Sequence, residues 1–155
     1  MANGNASLAV ARAASNQQVL VKNNQFDGNV KVFVSTFTNP STGGVAVGEY
    51  ISWGFLPFGA RLLPNARIYF SAGAASSTIN LGDPASPARY MAATSVTSAG
   101  SALAEAQLAN GALVEVDVVA PGTANDKSEL RSTVAGAALQ SGQVLTLIAQ
   151  YVSGN

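Results

Sequence analysis

Short runs of alternating apolar and polar residues, each soon stopped by a glycine- or proline-bearing turn, constrain this chain more than any other feature. In Val30-Lys31-Val32-Phe33-Val34-Ser35-Thr36-Phe37, β-branched and aromatic side chains dominate, as pleated surfaces favour. Asn39-Pro40-Ser41-Thr42-Gly43-Gly44 ends that run as a turn cluster. Val45 to Trp53 reads as the next strand, followed by Gly54, Pro57 and Gly59. Arg61 to Phe70 and Ser76 to Leu81 form a further pair around Gly73-Ala74-Ala75, and Ile79 and Leu81 fall on alternate positions. Gly82-Asp83-Pro84-Ala85-Ser86-Pro87 is another turn, and Arg89 to Val96 extends again. Leu113 to Val119 alternates, with Glu115 and Asp117 on its solvent side. Val144 to Val152 is nearly continuous in apolar residues and reads as a central strand covered on both faces.

Two stretches fit less simply. Ser98 to Asn110 is rich in Ala, Leu, Glu and Gln and is followed by Gly111, so a short helix is expected over about 98–110. Thr133 to Leu139 fits helix or strand. Met1 to Asn16 is rich in Ala, Asn and Ser without a sustained period and reads as an extended arm. The expectation is an all-β chain: a jelly-roll-like antiparallel β-sandwich over 17–155, at most one short helix, and an N-terminal arm over 1–16.

Composition narrows function. The chain has 155 residues, 48% hydrophobic, and neither cysteine nor histidine. Disulfides, thiolate nucleophiles and sulfur-ligated metals are excluded, and so are Ser-His-Asp and Cys-His catalysis. The commonest metal ligand is missing as well. No cofactor and no metal site is expected, nor any catalytic residue. Eight basic and eight acidic side chains cancel to a formal net charge of zero. Duplex nucleic acid is therefore an unsuitable partner, because its affinity comes largely from neutralised phosphates. Membrane partners are not expected either, since no apolar stretch approaches the roughly 20 residues that cross a bilayer. Only 10% of residues are charged, against about 25% in an ordinary domain. Weak repulsion between copies favours association.

The candidate motifs carry structural readings. Gly43 to Gly48 has the glycine spacing of a phosphate loop, but Glu49 and Tyr50 stand where Lys and Ser or Thr are needed, so it reads as a hairpin turn. Asp83 and Arg89 flank a proline-rich turn and could form a substrate clamp or the ion pair that braces the turn; Asp before Pro is ordinary turn chemistry and favours the brace. Glu115 and Asp117 lie about 7 Å apart on one strand face, a glycosidase-like separation that an ordinary wet face also explains. Asp126, Lys127, Glu129 and Arg131 form the densest charge cluster and read as an exposed loop, a placement compatible with a polar interface rim. The aromatic group Tyr50, Trp53, Phe55 and Phe58, beside Arg61, divides between core packing and an interface, because Trp, Tyr and Arg are enriched in binding hot spots. These five are the candidate interface residues.

The segment Trp53-Gly54-Phe55-Leu56-Pro57-Phe58-Gly59-Ala60-Arg61-Leu62, then Ser77-Thr78-Ile79-Asn80-Leu81-Gly82-Asp83, then Arg89-Tyr90-Met91-Ala92-Ala93-Thr94 resembles small structural proteins of tailed bacteriophages. The similarity is to the capsid cement, or head decoration, family of the Bordetella-podophage type. The closing run Val144 to Tyr151 is similar to the last strand of such proteins. The resemblance covers roughly residues 45 to 152. It implies a β fold on the exterior of an icosahedral head, made in the host cytoplasm. As a homo-oligomer, dimer or trimer, such a protein would bridge neighbouring subunits of the major capsid protein. It carries no catalytic residues across. The alternative is a glycan- or host-binding β-sandwich module of a phage tail or fibre. On the cement expectation the arm is a clamp: deleting Met1 to Asn16 should weaken capsid binding in a co-sedimentation assay and leave the melting transition in place. Unchanged binding would remove the arm from the mechanism.

Overall fold

The computed structural model of the chain describes residues 29–57, 60–104 and 127–153. Nine strands are described: β1 (Asn29–Thr38), β2 (Tyr50–Pro57), β3 (Arg61–Leu62), β4 (Arg67–Phe70), β5 (Thr78–Leu81), β6 (Met91–Ser95), β7 (Gly100–Leu103), β8 (Lys127–Ala135) and β9 (Val144–Ser153). They form two antiparallel sheets. One runs β1-β9-β4-β7 with β3 also on β9, and the other runs β2-β8-β5-β6. The pairings are nested: β1 with β9, β2 with β8, β4 with β7, and β5 with β6. Successive nested pairs fall in alternate sheets. A long antiparallel ribbon rolled over in this way is a double-sheet jelly roll.

The sandwich interior is filled from both sheets by period-2 alternation. Ile51, Leu56, Ile79, Leu81, Leu130 and Val134 come from the second sheet, and Leu62, Ile68, Leu145, Leu147 and Ala149 from the first; all are buried. β9 is central, as its composition suggests, but it is covered on one face only. Val144 and Ile148 are exposed, and Thr146 shares a 3.0 Å hydroxyl hydrogen bond with Thr36 of β1. Outward valine and isoleucine, not a second cover, make the run look continuously apolar.

The expected helix over 98–110 begins instead as β7. Gly100 to Leu103 pairs with β4 along its whole length, so the edge of the first sheet supplies the partners that a helical turn would otherwise have found internally. Residues 105–110 lie outside the described residues, as do the expected arm over 1–16 and the expected strand over 113–119. Thr133 to Ala135 resolves as the end of β8, paired with both β2 and β5. The Gly43–Gly48 segment leads from the first sheet to the second, so it is a crossing between layers rather than a hairpin.

At that crossing sits Asn39, only 2% exposed. Its Nδ2 donates to the carbonyls of Leu139 (2.9 Å) and Gln140 (3.0 Å), and its Oδ1 accepts from the Val45 amide at 2.9 Å. Its own backbone exchanges bonds with Gln143 and Gly142. One side chain thus ties the β1–β2 crossing to the β8–β9 crossing. Replacing Asn39 with Ala should cost about 2–4 kcal/mol, because the groups it satisfies stay buried without partners. A Thr36→Ala change on the wet face should cost less than about 1 kcal/mol on the same scale. Denaturant midpoints at constant slope measure both.

Candidate interface

The candidate aromatic group starts on β2, where the chain changes phase. Ile51 pairs with Ser132 and Ser52 with Arg131, but Gly54, not Trp53, takes the next partner, Leu130. Trp53 is therefore the extra residue of a β-bulge. Gly54 carries φ +133°, and the ring of Phe33 lies 3.1 Å from where a Cβ would stand. Only glycine suits both the backbone angle and that approach. Without the bulge, Phe55 would follow Ile51 and Trp53 into the core. With it, Leu56 is buried and Phe55 turns outward, 56% exposed.

The five candidate residues consequently separate. Tyr50 (48% exposed) and Phe55 stand on the outer face of β2. Trp53 faces inward, 4% exposed, and its Nε1 donates to Ser132 Oγ at 2.7 Å. Arg61 is half-buried on β3, in the opposite sheet. Phe58 lies outside the described residues.

Two charged residues from β8 complete the outer face around Tyr50 and Phe55. The Arg131 guanidinium lies 4.0 Å from the centroid of the Tyr50 ring. It also donates to Glu129 Oε2, and the other carboxylate oxygen, Oε1, accepts the Ser52 hydroxyl. Glu129 is only 8% exposed and sits directly across the ladder from Phe55. The cation is thus held by a ring on one side and a carboxylate on the other, which fixes its planar fork with little entropy left to lose. This corrects the loop expected over 126–131: Glu129 and Arg131 belong to β8, while Asp126 lies outside the described residues. The usable signal was the alternation Glu129-Leu130-Arg131-Ser132-Thr133-Val134, whose Leu and Val face the core. The charge density of the segment obscured it.

The Asp83 turn is structural, as expected. Asp83 Oδ1 accepts the amides of Ala85 (3.0 Å) and Ser86 (2.8 Å), while Oδ2 takes the Arg89 Nε–H and the Tyr90 hydroxyl. The turn closes so tightly on Gly82 that a Cβ there would stand 2.2 Å from the Ser86 carbonyl oxygen. Both carboxylate oxygens are occupied within the turn, which leaves no geometry for a substrate clamp. Glu115 and Asp117 lie outside the described residues. Among the described residues no group of three or more acidic side chains gathers at a distance suited to a metal ion.

What this face can do is bind: it presents two exposed rings and a fixed cation on a rigid sheet. Trp53 is the chain's one tryptophan, so its emission reports the interior cleanly. It should resist acrylamide quenching in the folded protein, become accessible on unfolding, and show no quenching by added sugars. Efficient quenching of the native protein would contradict the inward placement.

No protein-family model and no curated protein matches the chain. Two solved structures share its fold. A chain of the cyanophage Pam1 capsid asymmetric unit superposes with a TM-score of 0.58 at 23% identity, covering 82% of this chain and 86% of that one. A chain of the capsid of Ralstonia phage GP4 superposes with the same TM-score at 22% identity, covering 84% and 86%. The jelly roll described above is therefore a fold that also occurs in the capsids of these two phages.

Proposed function

We propose that this chain is a virion structural protein, a capsid cement protein that binds the outside of an assembled phage head and stabilises it by bridging major capsid subunits. The observation that carries the reading is the sharing of a fold, across more than four fifths of both chains, with chains of two phage capsids. The cement assignment within that class rests on the resemblance over residues 45 to 152. The surface chemistry supports it: Tyr50, Phe55 and the clamped Arg131 form a preordered patch of the residue types that dominate binding hot spots.

A cement protein needs no catalytic step. It binds the assembled shell and not the separated subunits, so it stabilises the assembly by RT ln(1 + [L]/Kd). Repetition over symmetry-related sites multiplies that effect without stronger individual contacts. The alternative, a glycan- or host-binding module, draws on the same exposed Tyr50 and Phe55, but Trp53 is withdrawn from any stacking platform.

The test uses heads assembled without the cement protein. Wild-type protein should co-sediment with them and raise their disruption temperature. A Tyr50→Ala/Phe55→Ala double variant, altered only at exposed positions, should melt as the wild type does and bind at least about tenfold more weakly, the equivalent of 1.4 kcal/mol. Wild-type affinity in the double variant would move the shell contact to another face. Failure of the wild type to bind heads, with saturable binding to a glycan array, would favour the alternative.

A further inference from the structure

Among the described residues five strands have a single strand partner, and four of them are blunted: β3 has only two residues. β6 has five residues and β7 four. β2 is interrupted by its bulge and ends on Pro57, which has no N–H to offer. Short strands, bulges, prolines and edge charges are the means by which sheets stop pairing with other chains. β1 has only the last of these, in Lys31. Its ten residues run against β9 without a register shift. Among the described residues β9 is its only strand partner, so half of its backbone donors and acceptors point away from the sheet. Its outer side chains Val30, Val32 and Val34 are 58%, 60% and 61% exposed, and its inner rings Phe33 and Phe37 are only half-buried against the core.

We propose that β1 pairs with β1 of a second copy, antiparallel about a two-fold axis through Val34, so that the first sheets of two protomers become one continuous sheet. The inference deepens the self-association within the proposed function, and it rests on that reading only for the place of the dimer in a virion. The strand is complementary to itself in this register. Val30 meets Thr38, Val32 meets Thr36 and Val34 meets its own copy, so every outward pair is β-branched on both sides. Lys31, the only charge on the strand, meets the ring of Phe37 and not a second ammonium. An axis through Lys31 would oppose two like charges. The Val34 axis also spans Val30 to Thr38, nearly the full strand. With a formal net charge of zero, two copies approach without long-range repulsion. The second copy would cover the half-open edges of Phe33 and Phe37.

The free full-length protein tests this directly. Light scattering behind size exclusion, over a concentration series, should give twice the chain mass. Val34→Lys sets two ammonium groups across the axis, and it should weaken the dimer several-fold, most at low salt, without shifting the protomer's far-ultraviolet circular dichroism. The chain has no cysteine, so Val34→Cys introduces a single thiol. Facing pairs in an antiparallel ladder fall within the roughly 4.4–6.8 Å Cα separation a disulfide accepts. That variant should oxidise to a covalent dimer, while Val47→Cys, equally exposed in the loop before β2 (55%), should not. A strict monomer, a trimer, a dimer indifferent to Val34→Lys, or equal cross-linking at both cysteines would each overturn the proposal. A dimer sensitive at Val34 that ignores phage heads would uphold the edge pairing and sink the cement reading instead.

Discussion

The ten-pair ladder between β1 and β9 is the constraint on which the remaining structure depends. It joins Asn29 to Ser153 and Thr38 to Val144, so the first described strand is held by the last. Every other pairing is nested inside it, down to the β5–β6 hairpin at the centre. β8 and β9 consequently become the middle strands of their sheets, and the interior forms only when both arms of the rolled ribbon are in place. Such a contact pattern is dominated by residues far apart in sequence, which sets folding toward the slow end of the range for small domains. Asn39 matters for the same reason. It stands where the ribbon turns from one sheet to the other, and its side chain ties the outgoing crossing to the returning one.

How much of this was legible in the sequence depended on whether the decisive interaction was local. β1 and β5 alternate over their own length, and the turns at Asn39–Gly44 and Gly82–Pro87 are spelled in the residues that make them. These features could be read directly. The Trp53–Gly54 bulge could not, because its cause is the Phe33 ring arriving from another strand. As a result the aromatic group, contiguous in sequence, is divided between core and surface. The helix expected near residue 98 failed where a sheet edge outbid local propensity: β4 offered Gly100 to Leu103 a complete set of partners. Arg131 and Glu129 were visible as charges, but their assignment to Tyr50 and Ser52 required the β2–β8 register.

The two outer faces of the sandwich differ in kind. The first sheet shows mainly β-branched side chains, Val30, Val32, Val34 and Ile148, with the Thr36–Thr146 pair among them, and one ring, Tyr69, with the Arg67 guanidinium 5.9 Å from its centroid. The three valines lie along the β1 edge, where backbone groups as well as side chains seek partners. The second sheet shows isolated rings around an ion pair that is already satisfied. A partner on the first is recognised by strand geometry and is tolerant of side-chain detail. A partner on the second must fit two rings and a fixed cation, which demands a specific surface.

That division bears on how a chain with so few charges remains useful. A chain with 10% charged residues and no net charge has little protection from association as a free monomer. Where association is the function, the protection is unnecessary, and the question becomes which contacts form first. The proposed strand pairing along β1 would close on itself after two copies, because an isologous contact about a two-fold axis leaves no further edge of the same kind. The remaining edges are short or bulged, so they do not extend the sheet into a fibre. Closure of the one permissive edge would leave the patch around Tyr50 and Phe55 duplicated across the dimer. Two such patches on one rigid body can engage two neighbouring subunits together, and the second engagement is then governed by effective concentration and not by the affinity of a single patch. On the proposed reading the low charge, the long unbulged β1 and the preordered outer face of β2 would be parts of one mechanism, in which a weakly protected monomer becomes a bivalent clamp.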